Sequence, residues 1–222
     1  MRKKTMKDSV RGMLLVASDI APEDQHDFNK WYDQEHVEER VRMPGVISAA
    51  RYIAVAGAPQ YLALYWAESL EVFSGPAYTQ AFIHQTPWSL QTLPKMRSPL
   101  RRIGTVHAHA GMGSGGWVGT LPLAEGVDIE SLAARCTALA EQLADDISFV
   151  QSYVIQPVDA LSKPLPLEDL AARKMQPLLI IESRTHESNQ SAMERAAQWL
   201  EVDISRSARY QLAWKLSAAE LR

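Results

Sequence analysis

The sequence predicts an α+β protein: two ferredoxin-like βαββαβ units in tandem, packed sheet to sheet as an α+β barrel. Three observations predict it. Short apolar runs of strand length alternate with helical stretches, the same order of elements occurs twice, and a glycine-rich joint, Gly111 to Gly116, lies between the two occurrences. Strand, helix, hairpin, helix, strand is the split βαβ or ferredoxin-like order. A sheet covered by helices on one face still has to bury the other, and two such sheets facing each other do so around a shared cavity. The expected units are residues 12–110 and 117–222.

Each element has a local reason. Met13 to Ala17 is a buried-strand run. Pro22 followed by Glu23 and Asp24 marks a helix start, since proline needs no N–H partner there and acids suit the positive end of the dipole. That helix runs through Phe28, Trp31 and Tyr32 and is stopped by Pro44-Gly45. Ile47 to Val55 and Tyr61 to Ala67 form a hairpin around Gly57-Ala58-Pro59. Ser69 is placed to cap a helix through Phe73, helical pieces resume at Pro76 and Pro87, and Arg102 to Ala110 is a strand. In the second unit Trp117 to Leu123 is a strand, and Ile129 to Asp145 a helix with the apolar stripe Leu132, Cys136, Leu139, Leu143. Strands Phe149 to Ile155 and Leu178 to Ser183, helix Ser188 to Leu200 and strand Tyr210 to Leu216 complete it. Pro157 to Pro177 is a long hairpin connection with a candidate short helix at Leu167 to Lys174; connections of that length often serve as lids.

Composition narrows the function classes. With 222 residues, 46% of them hydrophobic and 22% charged, the chain buries a core of its own and is neither low-complexity nor collagen-like. Lys+Arg 23 against Asp+Glu 26 leaves a net charge of -3, so no basic field invites nucleic acid. A lone cysteine, Cys136, excludes a disulfide framework and a cysteine-rich zinc site. The start, Met1-Arg2-Lys3-Lys4-Thr5-Met6-Lys7, is basic, but Met13 to Ala17 is too short for a signal-peptide core. The expectation is a frayed tail before a first strand, in a cytoplasmic protein without membrane contact. Exposed sheet edges would make it a possible homodimer.

The densest polar cluster is Trp31-Tyr32-Asp33-Gln34-Glu35-His36-Val37-Glu38-Glu39-Arg40. On a helix Tyr32, His36 and Arg40 form an i, i+4, i+8 row, and Glu35 and Glu39 continue the row of Phe28 and Trp31. Carboxylates continuing an apolar stripe are unusual in a core helix. Val37 and Val41 point elsewhere, which argues for a kink or restart near Glu35-His36. A histidine beside carboxylates suits proton transfer, because neighbours move its pKa around neutrality. A solvated face of Glu–Arg pairs accounts for the same spacing.

Residues 12–105 carry a resemblance. Trp31-Tyr32…Glu35-His36, Glu39-Arg40, Pro44-Gly45-Val46, Ala50-Arg51-Tyr52 and Thr86-Pro87-Trp88 resemble the EthD-like branch of the dimeric α+β barrel superfamily, with its W-Y-x-x-E-H-x-x-x-R, P-G and A-R-R-Y motifs. Val37-Glu38 stands where that branch often has a proline after the histidine, and the second half has no Trp-Tyr…Glu-His, so the resemblance implies one site per chain. The superfamily includes isomerases, cyclases, lyases and cofactor-free mono-oxygenases acting on aromatic or polyketide-like molecules, and also haem proteins. The resemblance implies that His36 is the acid/base or substrate-binding group, that Glu35 orients it or acts as base, and that Arg40 steadies an enolate, phenolate or carboxylate. It further implies that Trp31 and Tyr32 line the cavity.

Other residues belong to the same expected cavity. His107 and His109 stand two apart on a strand, so with Thr105 they share a face and look into the inter-sheet cavity. They read as a proton relay, as two metal ligands lacking a third (His84 and Glu35 are candidates), or as hydrogen-bonded wall residues. Tyr61, Ala63 and Tyr65 share one face of their strand and Leu62, Leu64 and Trp66 the other; if the leucine face meets the helices, the tyrosines face the cavity. Arg51 and Tyr52 lie on opposite faces, so only one of them does.

Several motifs fail on context. Gly111-Met112-Gly113-Ser114-Gly115-Gly116 matches G-x-G-x-x-G but leads into a strand, not a helix N-terminus. His36-Val37-Glu38 matches the deaminase H-x-E without any P-C-x-x-C. Arg97, Arg101 and Arg102 read as a solvated strand entry. The expectation is a small-molecule enzyme doing proton abstraction (lyase, isomerase or cyclase) on an aromatic or polyketide-like substrate, without organic redox cofactor or metal. The alternatives are a non-catalytic binding module for a hydrophobic metabolite, and a haem- or metal-dependent oxygenase.

Overall fold

Eight strands close into one barrel. They are β1 (Gly12–Asp19), β2 (Val46–Ala56), β3 (Tyr61–Ala67), β4 (Arg97–Gly111), β5 (Trp117–Pro122), β6 (Phe149–Pro157), β7 (Leu178–Ser183) and β8 (Ala208–Ser217). The computed structural model describes residues 10–221, so the basic start, Met1 to Lys7, lies outside the described residues. Around the barrel the order is β1-β3-β2-β8-β5-β7-β6-β4, every pairing antiparallel. Cut between β2 and β8 and between β4 and β6, it falls into two sheets with the same internal order, fourth-first-third-second. That is the tandem ferredoxin-like barrel the sequence predicts. Each strand is paired on both sides, so the expected open sheet edges are not there.

Helices α1 (Gln25–Trp31), α2 (Val37–Val41), α3 (Pro76–Ile83) and α4 (Pro87–Thr92) cover the first sheet, and α5 (Ile129–Leu143) and α6 (His186–Leu200) the second. Side chains set several starts: Asp128 accepts the Ser131 N–H and Thr185 the Ser188 N–H. The Thr185 cap starts α6 two residues before the expected Ser188. Ser69 makes no such cap, and the segment after it is only a 3₁₀ turn, Leu70–Phe73. The expected short helix at Leu167 to Lys174 does not form. Leu167 takes φ 65°, and the Asp169 carboxylate accepts the Ala171 and Ala172 N–H groups in a turn.

Between the sheets there is a packed core, not the expected cavity. Met13, Leu15, Tyr52, Leu62, Leu64, Tyr153 and Tyr210 fill it, as side chains do in eight-stranded barrels. The faces of β3 are the reverse of those expected. Leu62 and Leu64 point into the barrel, while Tyr61, Ala63 and Tyr65 meet the helices. Arg102 to Ala110 is also not a regular strand: its pairing with β6 steps from His107↔Val154 to Ala110↔Ser152, one extra residue, with Ala108 at φ 49°. The bulge separates the two histidines. His107 follows the outer face with Val154, and His109 turns inward beside Trp66 and Tyr153, ring centroids 5.6 and 6.1 Å away.

The glycine-rich joint is pinned to the barrel end. Gly115 N–H donates to Glu182 Oε2 at 2.8 Å, and a Cβ on Gly115 would stand 2.7 Å from the Ser183 backbone. Among the described residues no helix is long and apolar enough to cross a membrane.

Candidate functional site

Between α1 and α2 the chain makes a single π-helical stretch, Tyr32–His36. A π-turn inserts one residue into the helical count, which moves the buried stripe one step along. Trp31 therefore lies over His36, ring centroids 4.4 Å apart, instead of over Glu35. Downstream the stripe continues as Val37, Arg40 and Val41, all buried. Glu35 and Glu39 are rotated aside. Glu35 accepts a 2.5 Å hydrogen bond from Thr86 Oγ1, whose own oxygen caps α4 through the Ser89 N–H. The kink expected near Glu35-His36 is this π-turn, formed without a proline.

Tyr32, His36 and Arg40 do share one row, and with Tyr65 they line a cavity of about 50 Å³ between the helices and the outer face of the first sheet. Leu14, Val16, Leu93 and Met96 give it an apolar floor, and Leu165 from the 157–177 connection closes it. Nδ1 of His36 is buried in this wall without any partner, and the buried hydroxyl of Tyr65 has only the Tyr32 phenol beside it, with no well-formed hydrogen bond. Burial, reinforced by Arg40 and Arg51, holds the His36 imidazolium well below the ordinary histidine pKa, so the ring is neutral at pH 7. Burial likewise pushes the phenols of Tyr32 and Tyr65 up, so both keep their protons as donors. The Arg40 guanidinium donates to the Ala81 carbonyl, and its nearest carboxylate, Glu39, stands 3.9 Å away.

The remaining sequence candidates do not line this cavity. Trp31 is fully buried, donating to Ser89 Oγ at 3.1 Å. Arg51 is 4% exposed, bonded to Asp33 and Asn29, and stacked over the Tyr32 ring at 4.2 Å; it clamps the π-turn from behind. Tyr61 packs on Phe28 and accepts from Asn29. His107 bonds Thr105, and His109 bonds Gln151, both away from His36. Among the described residues no cluster of three or more His, Cys, Asp or Glu is placed to hold a metal. A haem fits poorly as well, since groups of drug size occupy pockets of about 300–1,000 Å³ and His36 faces far less. A larger concavity, about 640 Å³ between the glycine joint and α5, gathers no acid–base set.

Sequence reasoning missed the outer wall: Tyr78, Phe82, Gln85 and Arg101. Arg101 and Arg102 are not solvated but 3% and 7% exposed. No sequence signal marks Arg101, whose Nη1 is held by the distant Leu161 and Lys163 carbonyls.

An expected result follows from the Tyr65 phenol. Tyr65→Phe removes a buried hydroxyl that has only the Tyr32 phenol beside it, so little hydrogen bonding is lost and a desolvation penalty of about 1 kcal/mol is relieved. Thermal melting should show a Tm equal to or above that of the parent. A drop of several degrees would mean that the Tyr32–Tyr65 pair is a stabilising hydrogen bond.

Compared by sequence, the chain matches no family model and no curated protein. Compared by structure, it is similar to an anthrone oxidase-like protein at TM-score 0.63 and 15% identity, covering 96% of this chain and 95% of that one. It is also similar to a protein from Fusobacterium nucleatum subsp. nucleatum that carries a monooxygenase name, at TM-score 0.59 and 9% identity over 94% and 95% of the chains. A mutant chlorite dismutase from Candidatus Nitrospira defluvii follows at 0.57 and 10%, over 96% of each chain. These likenesses establish the fold class, the ferredoxin-like dimeric α+β barrel.

Proposed function

We propose that this chain is a small-molecule enzyme of the EthD-like branch that abstracts a proton from an enolisable or phenolic aromatic substrate. The observation that carries the reading is the meeting in one cavity of an unpartnered basic nitrogen on His36 and the phenol of Tyr65, which has only the Tyr32 phenol beside it. With its proton on Nε2, His36 offers Nδ1 as the base. Tyr65 donates to the oxygen on which negative charge develops, and Arg40 supplies a cation in surroundings too dry to screen it. Arg40 and Arg51 disfavour imidazolium only while the cavity is empty; the anion formed from substrate offsets them. Tautomerisation, cyclisation or carbon–carbon cleavage all follow from the same carbanion.

A second reading rests on the neighbours' names. An oxygenase would form that carbanion and let it react with dioxygen. One experiment separates the two. Anthrone, whose methylene is acidic, is incubated with the protein in D₂O without oxygen, and exchange is followed by NMR; dioxygen uptake is then measured in air. Exchange lost in His36→Ala supports the acid–base reading, and uptake adds the oxygenase. Exchange no faster than in buffer rejects the proton abstraction.

The pH profile is a further expected result. The base must be neutral to act, and its pKa in the free protein lies below 6.5. The kcat/KM for exchange should therefore hold level as pH falls through 6.5 and decline only at lower pH. A midpoint at or above 6.5 would contradict a buried His36 as the base.

A further inference from the structure

Arg101 is a buried cation without an anion. It leaves the outer face of β4 only 3% exposed, donates Nη1 to the Leu161 and Lys163 carbonyls at 3.0 and 2.9 Å, and donates Nη2 to the Tyr78 hydroxyl at 2.7 Å. No carboxylate among the described residues pairs with it; Glu168 of the neighbouring connection goes to Arg102 and Arg173 instead. A buried charge is expensive unless paired, and a guanidinium held only by neutral oxygens has its donors satisfied but its charge uncompensated, which a carboxylate replacing those oxygens would remedy.

Its position gives the charge a use. Beyond the His36 cavity lies an outer pocket of about 260 Å³, opening between α3 and the 157–177 connection and rimmed by Lys163. Three side chains, Tyr78, Phe82 and Arg101, belong to both spaces and form the partition between them. The partition is held by stacking: the Tyr78 and Phe82 rings lie 6.4 Å apart at 21°, and the Arg101 guanidinium sits 5.1 Å from the Phe82 centroid. An inner space of about 50 Å³ is too small for an aromatic ring, whereas an engineered cavity of about 150 Å³ binds benzene. A substrate therefore has to open this partition.

Resting on the function proposed above, we propose that the outer pocket is an entry subsite for an acidic arm of the substrate. Arg101 exchanges its backbone carbonyls for a carboxylate, and Phe82 swings aside to join the two spaces. The substrate class is then an aromatic carboxylic acid with a neighbouring phenol or enol: ring and hydroxyl at His36, carboxylate at Arg101 and Lys163. Releasing the Leu161 and Lys163 carbonyls also frees the connection that carries Leu165.

The test compares two probes, 1-naphthol and 1-hydroxy-2-naphthoic acid, titrated calorimetrically against the full chain at pH 8. The acid is expected to bind at least tenfold more tightly. Arg101→Met should erase that ratio while sparing naphthol, and Lys163→Glu at the exposed rim should cut it several-fold. The Lys163 variant decides the matter if Arg101→Met does not fold. A ratio near one in the parent protein, a ratio unchanged in the variants, or no binding of either probe overturns the subsite. Anthrone exchange is read separately. Selective capture of the acid through Arg101 without any exchange would leave the subsite standing and the proton-abstraction reading refuted.

Discussion

His36→Ala should lower anthrone exchange by a hundredfold or more while leaving the fold intact. Positioned general bases contribute about 10²–10⁴-fold, and no second unpartnered base lines the cavity. Glu35, the other candidate, is held by Thr86 and belongs to the wall's scaffolding. The fold should survive because the imidazole nitrogen bonds nothing that would be orphaned. The cost is the ring's packing against Trp31 and Tyr32. His36→Gln, which fills more of the space, separates lost packing from lost basicity: its melting should approach the parent's while exchange stays low. Circular dichroism with single-turnover exchange checks both. Parent-like turnover in either variant would remove His36 from the chemistry.

The largest effect on stability is expected inside the barrel. Glu182 is 2% exposed and accepts from Gln151 at 2.9 Å, from the Tyr153 hydroxyl at 3.1 Å and from Gly115 N–H at 2.8 Å. Glu182→Ala strands three donors inside the barrel, at about 1–3 kcal/mol each with incomplete additivity. A total of about 4 kcal/mol lowers the Tm of a chain this size by roughly 10 °C. Burial raises the Glu182 carboxyl above its usual pKa. With the folded value above the unfolded one, its stabilising contribution is full below the unfolded pKa and is lost as pH rises through the folded one. Glu182→Gln mimics the neutral form but turns an amide N–H₂ toward Gly115. Its deficit against the parent should thus be largest in mild acid and shrink toward neutral pH. A Tm within 2 °C of the parent for Glu182→Ala would show that the carboxylate does not hold the glycine joint.

What could be read from the sequence depended on period. The strands, the paired halves and the Tyr32, His36, Arg40 row follow from regular spacing, and the structure keeps them. The errors fall where regular spacing breaks or carries no information. One extra residue in the π-turn moved Glu35 off the buried stripe, and one extra residue at Ala108 put His107 and His109 on different faces. On β3 the two faces, Tyr61-Ala63-Tyr65 and Leu62-Leu64-Trp66, are both apolar because both are covered, one by helices and one by the barrel core. Alternation then fixes which residues go together but not which way they point. Arg101 was invisible for a different reason: its partners are backbone carbonyls sixty residues away.

Closure inside one polypeptide also lifts a hereditary constraint. A barrel made from two copies of one gene repeats each substitution on both sides of its axis, so neither side can specialise alone. Here β2 and β4 are met by β8 and β6, whose sequence is their own. The second half has filled the layer beneath its helices with Leu121, Leu139, Met193 and Leu200, while its longest connection reaches across to place Leu165 against the first half's cavity. Within one polypeptide one half can serve as scaffold and strap while the other holds the His36 cavity.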